Sequence, residues 1–521
     1  MNCAHALSDG PAIHFSADAR TTGYRELLDA SLRYGGALER AGVRKGEVVL
    51  IFLPTSEACV GVFLGGMLVG AIPSLMPLPS EKQDPDVYWA SHAALFRHVG
   101  EGWIVAPREF VDAIRECSGG SLNVLPLDAL DLQEPASIAT VQPSDVAFLQ
   151  HSSGTTGLKK GVPVSHRQLA DQLEAYAGAI DLNEKSVIVS WLPLYHDMGL
   201  IACFLLPVFT GCKLVVIDPF RWTARPRILF EEIDRQGGTH CWMPNFAFSH
   251  MANIAASVPA RFSLRSMKKF INCSEHCKPG SFDRFVEAFA HLGVVDEMMT
   301  CCYAMAETVF AVTQTGPGPC ARERNTLSSG RVIEGMSIRI MGDDGREVTE
   351  DGEIGEIQIS SAFLFDGYYK NPDRTKESFE GGWYKTRDYG FLKNGELFVQ
   401  GRLDDMIIVN GRNLYAHEVE SELSSIPGVI AGRSVAFSIE NEAASTDGLI
   451  VVCETMIEDP LSLDDLKQRI SDHVFAVIAV MPREILLVPP RSILKTSSGK
   501  TDRKRNKQKH AEGKFSNWSM A

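Results

Sequence analysis

The sequence predicts an α/β fold with a large N-terminal domain of parallel βα subdomains and a small antiparallel, β-barrel-like part. A small α+β C-terminal domain follows. Three observations carry this expectation. Over 145–303, short apolar runs alternate with helical patterns, the mark of parallel strands joined by right-handed crossovers. After about residue 325 the texture changes to MSIRIMGDDGREV, GEIGEIQIS and LKNGELFVQGR, short strands split by Asp-Gly and Asn-Gly turns. From 404 a smaller α+β pattern runs to the end, with DMIIVN, GLIVVCETM and EILLVPP as strands and helices near 416–425 and 462–474.

Composition excludes several classes. Of the 521 residues, 45% are hydrophobic and 22% charged, as in ordinary globular proteins. A net charge of −14 argues against nucleic acid as the main partner. The first residues, MNCAHALSDGPAIHF, lack the basic start and apolar block of a signal peptide. The most apolar long window, 199–217, contains Pro207, Gly211 and Lys213 and reads as a buried helix and strand, so no membrane span is expected. Twelve irregularly spaced cysteines fit reduced thiols in the cytoplasm. Cys273, His276, Cys277, Cys301 and Cys302 include metal-ligand types, but the paired C-x-x-C of a zinc site is missing, so they read as small buried thiols.

Taken in order, Tyr24 to Leu38 has helical apolar spacing, VVLIFLP (48–54) is a buried strand, and a helix covers roughly 56–69. The stretch 80–144 is weakly patterned. VAFLQH then leads to a loop of small hydroxyl residues, glycines and lysines, Ser152, Ser153, Gly154, Thr155, Thr156, Gly157, Lys159 and Lys160. Ser165 with Gln168 forms a capping-box pattern, and Leu169, Leu173, Tyr176 and Ile180 make the apolar face of the helix that follows. SVIVSWLP, KLVVID, THCWMP, MKKFINCS and EMMTCCY are the next strands, with helices between them, including LIACFLLPVF and NFAFSHMANI. Ligands of parallel sheets bind beyond the carboxyl ends of the strands. The polar stretches 152–161, 193–199, 272–276 and 303–308 all fall there.

Glycine lets backbone N–H groups approach an anion, hydroxyls donate hydrogen bonds and lysine adds charge, so 152–161 has the chemistry of a polyphosphate loop. The Walker A pattern cannot be laid on it in any register. A solvated Ser/Gly/Lys turn has the same composition, and the loop alone does not separate the two readings.

The order of the motifs does. LQHSSGTTGLKKG, SWLPLYHDMGL, MPNFAF, YAMAET, YKTRDYG, GRLDDMIIVNGRN and KTSSGKTDR together resemble the adenylate-forming superfamily of acyl-CoA synthetases, luciferases, peptide-synthetase adenylation domains and fatty acyl-AMP ligases. The phrasing is nearest to the last branch, and the resemblance runs from Tyr24 to about Arg503.

The resemblance implies that a carboxylate attacks the α-phosphate of ATP to give acyl-AMP and pyrophosphate, with Mg²⁺. A phosphopantetheine thiol, on an acyl carrier protein or coenzyme A, then displaces AMP. It divides the chain into an AMP-binding adenylation domain, 1–402, and a mobile C-terminal domain, 403–521. In the nucleotide site it places the loop 152–157 with Lys160, the segment Asn272, Ser274 and Glu275 along the adenine, and Tyr303 and Ala304 at the adenine face. Glu307 is the expected magnesium ligand, Thr308 approaches phosphate, and Asp388 and Arg402 serve the ribose region. His196 lies near the reacting carboxylate, Asp404 is the hinge and Lys500 the catalytic lysine. Trp242, Asn245 and Phe246 are expected at the acyl pocket. Three positions depart from the family pattern: Lys159 replaces a proline, and Ala304 and Arg387 replace glycines. Amino-acid-activating members tend to carry Phe-Asp where Tyr195-His196 stand, which favours an acid without an α-amino group. Fatty acyl-AMP ligases usually hold an insertion where only about twenty residues separate Thr308 from Gly330, which leaves coenzyme A open as acceptor. An aryl or short-chain acid–coenzyme A ligase, and a non-catalytic nucleotide- or acyl-binding descendant of the fold, are the alternative readings.

Overall fold

Short, buried, mainly apolar runs set the frame. In a computed structural model the strands Val187–Ser190, Lys213–Val216, His240–Met243, Lys269–Asn272 and Met299–Ala304 are all almost wholly buried. Near-continuous apolar strands of this kind need covering on both faces, and helices between successive strands supply it. The structure describes residues 10–79, 85–151, 160–273, 276–323, 325–409, 412–439, 448–496 and 500–515.

Contacts divide the chain into two compact units, one of Met1–Arg339, Gln358–Lys385 and Leu392–Phe398, the other of Ile340–Ile357, Thr386–Phe391 and Val399–Ala521. The first contains a nine-stranded sheet. Its order is Arg331–Val332, Ala311–Gln314, Met299–Ala304, Lys269–Asn272, His240–Met243, Val187–Ser190, Lys213–Val216, Pro11–Phe15, Arg20–Gly23. The six strands from Met299–Ala304 to Pro11–Phe15 pair in parallel, as the alternation predicts. The strands Pro11–Phe15 and Arg20–Gly23 lie ahead of the first element anticipated at Tyr24. They are four or five residues long and carry no periodicity of their own. Tyr24 opens the helix Tyr24–Ala41, and its hydroxyl donates to the carbonyls of Pro207 (2.9 Å) and Cys212 (2.7 Å).

A second, four-stranded parallel sheet is ordered Ile72–Leu75, Val48–Ile51, Trp103–Ala106, Asn123–Pro126. Two of its strands come from the weakly patterned stretch 80–144. The regular alternation breaks at one place. Val146–His151 does not pass directly from the loop to a helix, because Gly161–Ser165 pairs antiparallel with it. The strands on either side of 152–159 are therefore antiparallel partners. Ser165 then caps the helix His166–Ala179 through the full capping box with Gln168.

Segment 336–402 contributes five further strands, with an antiparallel hairpin pairing Phe379 with Tyr384. In the second unit, Ser434–Ile439, Gly448–Glu454 and Glu484–Val488 form a mixed three-stranded sheet. Helices Ala416–Leu423 and Pro460–Ile478 contribute Val419, Leu423, Leu466 and Ile470 to a core shared with Leu449 and Val451. Burying each such aliphatic side chain is worth about 1.5–3 kcal/mol. The basic tail forms the helix Arg503–Ala511. Within it Arg503 pairs with Glu420 (2.6 Å) and Asp405 (2.8 Å), and Lys509 donates to the Ser492 carbonyl (2.7 Å). Among the described residues no helix is long and apolar enough to cross a membrane.

Candidate active site

The first unit brings several of the expected residues to one corner. Lys160 follows the loop, and its Nζ lies 5.2 Å from the centre of the Tyr368 ring. The same tyrosine donates its hydroxyl to the Glu307 carboxylate at 2.7 Å. Backbone bonds lock this arrangement: Tyr369 N–H to Gly161 O (2.8 Å) and Phe365 N–H to Glu307 O (2.9 Å). Tyr384 stands 3.1 Å from the Tyr368 hydroxyl, and burial together with Glu307 pushes the Tyr368 pKa up, so the phenol stays a donor. A cation and a carboxylate are thus held on two sides of one neutral ring. Glu307 remains half-buried, with one oxygen fixed by a neutral donor. That suits Mg²⁺, which binds through one or two carboxylates plus substrate phosphates rather than in a closed protein cage.

The chain beside Glu307 is strained. Val309 has φ 64° and ψ −53°, a conformation rarely taken by β-branched residues, and Phe310 N–H reaches back to Thr308 O at 2.7 Å. The result is a γ-turn of the positive-φ kind, costing about 1–3 kcal/mol. Thr308 itself is wholly buried, its hydroxyl turned to the carbonyls of Phe310 (2.8 Å) and Met305 (3.1 Å). Tyr303 is buried at the end of its strand, with Ala304 half-buried after it.

His196 sits on a turn whose geometry depends on Gly199. A Cβ at Gly199 would stand 2.1 Å from the Pro193 carbonyl oxygen, so only glycine permits the chain to fold back there. The helical run expected next begins with a wide-turned π-helix, Met198–Leu205, before the α-helix Leu206–Thr210. Gln150, at the end of its strand, donates to the Tyr195 carbonyl at 3.1 Å, tying that strand to the histidine turn. Burial raises the Tyr195 pKa to about 12.

Asn272 ends its strand and donates to the Asn245 side-chain oxygen at 3.0 Å. Its own amide oxygen is buried without a hydrogen-bond partner among the described residues. Trp242 is fully buried and donates to the Tyr176 hydroxyl at 3.0 Å, a core position. Phe246 is 40% exposed and stands edge-on to Trp191 and Trp222, which stack face to face with ring centres 3.6 Å apart. The indole N–H groups of both tryptophans are buried without acceptors among the described residues.

The second unit gathers a different set. Arg402 Nε lies 3.2 Å from an Asp388 oxygen. Arg387, where the family carries glycine, has φ 62°, the left-handed region that explains the usual glycine. Its backbone N–H is held by Glu356 (3.1 Å) and its guanidinium by Asp404 (2.6 Å). At Lys500 the backbone carbonyl accepts from Thr496 N–H at 2.8 Å, and Lys495 pairs antiparallel with Thr501. Ser152, Ser153, Gly154, Thr155, Thr156 and Gly157, and Ser274 and Glu275, lie outside the described residues.

Reading the motifs missed Tyr368, which holds Glu307, and Trp191 and Trp222 beside Phe246. Tyr368 lies in FDGYYK, a stretch without a pattern of its own. Trp191 was in view within SWLPLYHDMGL, but only the fold brings Trp222 onto it.

The chain belongs to the AMP-binding enzyme family, whose model matches residues 2–369. It is an adenylate-forming ligase, for which ATP and Mg²⁺ are the working partners. It is 27% identical over 545 residues to the long-chain-fatty-acid–AMP ligase FadD26 of Mycobacterium marinum, covering 93% of this chain and 92% of that one. It is also 27% identical over 408 residues to the medium-chain-fatty-acid–[acyl-carrier-protein] ligase JamA of Moorena producens, covering 72% and 69%. Among solved structures, fatty acyl-adenylate ligases from E. coli and L. pneumophila match its fold with TM-score 0.88 at 24% identity, over 98% of this chain and 97% of the other. The L. pneumophila ligase in complex with acyl adenylate and pyrophosphate matches with TM-score 0.72 at 25% identity, over 98% and 94%.

Proposed function

We propose that the protein joins a fatty or otherwise hydrophobic, non-amino carboxylic acid to a phosphopantetheine thiol by way of acyl-AMP. The carboxylate attacks the α-phosphorus of ATP, an O–P bond forms and pyrophosphate leaves. The thiolate then attacks the acyl carbonyl, a C–S bond forms and AMP leaves. Holding two anions together while charge moves onto pyrophosphate calls for positioned cations and donors.

The observation that carries this reading is the corner in which Lys160 and Glu307 flank Tyr368. There Lys160 meets the phosphates, with the loop 152–157 supplying N–H and hydroxyl donors, and Glu307 is positioned to hold Mg²⁺, whose part is to screen the phosphate charge. Tyr303 and Ala304 face the adenine along 272–275, and the unfilled amide oxygen of Asn272 suits an amino group on the base. Thr308 supports the phosphate end through the buried γ-turn it anchors. His196 orients the carboxylate, and Lys500 bridges acyl and phosphate oxygens during adenylation.

Asp388 and Arg402 serve the ribose and exchange their mutual contact for it. Asp404 is the hinge of a mobile C-terminal domain, 403–521, next to an adenylation domain of 1–402. The acyl chain lies against Phe246 and the Trp191–Trp222 stack, with Asn245 nearby and Trp242 forming the floor from the core. The free thiols of the described cysteines suit the cytoplasm.

Carboxylate-dependent ATP–pyrophosphate exchange across a panel of fatty, aryl and amino acids tests the first half-reaction. Exchange with an apolar non-amino acid is expected. Retained nucleotide binding with no exchange for any acid would make the protein a binding module instead. Offering the charged enzyme coenzyme A and a holo-acyl carrier protein in parallel assigns the acceptor.

A further inference from the structure

The cysteines at the edge of the central sheet have an order to them that acid activation does not use. Cys301 lies in the strand Met299–Ala304, paired with Asn272 on the neighbouring strand and anchored by its N–H to Thr315 Oγ1 at 2.9 Å. It is fully buried. Cys320 lies on the loop that follows the strand Ala311–Gln314, is partly exposed, and places its Sγ 4.0 Å from that of Cys301. Cys277, buried, interacts with Cys301 from the other side. Cys302 and Cys273 form a second buried pair, and Cys302 directly precedes Tyr303.

Two features single out Cys301 and Cys320. A disulfide needs its sulfurs at about 2.05 Å, so one of the two must move by about 2 Å. Cys301 is pinned in the sheet, whereas Cys320 lies on the loop after Gln314, which carries glycines at 316 and 318, the latter at φ 95°, and its Sγ donates to the Met299 carbonyl at 3.3 Å. Reactivity runs the same way. Cys301 beside it, followed by other donors that include Thr315, holds the Cys320 thiol below its ordinary pKa against the opposing effect of burial. The other partly exposed cysteine, Cys117, is pushed up by burial. The thiolate is the reactive form, so Cys320 is both the reachable and the nucleophilic member.

We propose that Cys320 and Cys301 form an oxidisable dithiol, a modification site whose co-reactant is a peroxide. The Cys320 thiolate attacks one peroxide oxygen, the O–O bond breaks, and the departing hydroxide takes a proton and leaves as water. Cys320 is left as a sulfenic acid. The Cys301 sulfur then attacks the Cys320 sulfur, the S–O bond breaks, and the Cys301 proton leaves with that oxygen as a second water. Two thiols and one hydrogen peroxide become one disulfide and two waters. A reducing dithiol reverses it by exchange. The disulfide clamps the 316–321 loop onto the strand that carries Tyr303, and the shift this requires makes the oxidised protein bind nucleotide more weakly. This last consequence rests on the adenine role proposed for Tyr303, whereas the disulfide itself does not.

The test is titration of the full-length protein with hydrogen peroxide, alkylation of the remaining thiols, and peptide mapping without reductant. The expected result is a Cys301–Cys320 linked peptide that dithiothreitol removes. In Cys301→Ala, checked for an unchanged melting curve, Cys320 should instead be captured as sulfenic acid by dimedone. In Cys320→Ser no linked peptide should form. Oxidation of Cys117 ahead of Cys320, or loss of the Cys320 thiol in the wild type without the linked peptide, would overturn the site. Oxidation should raise the AMP dissociation constant at least about threefold in the wild type and not in Cys320→Ser. A linked peptide with an unchanged constant would keep the disulfide and overturn its coupling to the nucleotide.

Discussion

The two units hold their site residues by opposite means. In the first, Glu307 is fixed by a neutral phenol and by backbone bonds, and Lys160 rests against the same ring. In the second, Asp388 is paired with Arg402, and Arg387 with Asp404, a pair in which both side chains are more than 40% exposed. The lesson is that the first unit fixes its candidate residues through a neutral ring and backbone bonds, and the second through charge pairs. Prebuilt donors lower the cost of reaching a charged transition state, whereas an exposed pair such as Arg387–Asp404 contributes only about 0–1 kcal/mol.

The contrast can be broken in several ways. The largest effect is expected from Lys500→Ala, which should reduce ATP–pyrophosphate exchange by at least roughly 10²-fold, the scale for losing one oxyanion-type contact. The melting curve should not change, and an undiminished exchange rate would remove Lys500 from the chemistry.

Acidification separates the units next. His240 is buried in the large sheet, and burial lowers its pKa to about 4. The folded chain keeps it neutral, while the unfolded chain protonates it near the usual 6.5. Its contribution to stability is therefore complete above about pH 6.5 and is lost as pH falls toward 4. Between pH 7 and 5 the loss should be about 2 kcal/mol. Thermal melts of His240→Gln should show a smaller drop over that range than the wild type, and an equal drop would assign the acid sensitivity elsewhere.

Tyr368→Phe removes one neutral donor to a carboxylate and should cost about tenfold in kcat/KM for MgATP. The effect should appear in the MgATP titration and not in the KM for the acid. The smallest effect belongs to Arg387→Gly. It relieves a left-handed backbone worth about 1–2 kcal/mol and gives up an exposed pair worth about 0–1. The melting temperature should stay level or rise, while, with Asp404 as the proposed hinge, thioester formation should change more than adenylation. Equal change in both half-reactions would dissociate Arg387 from Asp404.

Periodicity made the parallel sheet legible, because short buried apolar strands separated by amphipathic helices have few alternatives. It could not reveal Gly161–Ser165 as a strand, since GVPVS is short and its role depends on pairing with Val146–His151. The motifs named Lys160, Glu307, Asp388, Arg402 and Lys500 by order along the chain. They could not name Tyr368, whose function comes from where segment 358–385 returns to the first unit. Arg387 is instructive in another way. Its departure from the family's glycine was visible in the sequence, but only the φ of 62° shows why glycine is usual there, and only the bond to Asp404 shows what the arginine does.

The proposed role of the Lys160–Tyr368–Glu307 corner is tested most directly by the Mg²⁺ dependence of radiolabelled pyrophosphate exchange in Glu307→Gln. The glutamine keeps the size and can still accept from Tyr368, but it loses the charge a hard cation requires. The expected result is exchange lowered by at least roughly 10²-fold, with half-saturation displaced to higher Mg²⁺. A wild-type Mg²⁺ midpoint and rate would contradict the placement of the metal and the phosphates at the Lys160–Tyr368–Glu307 corner.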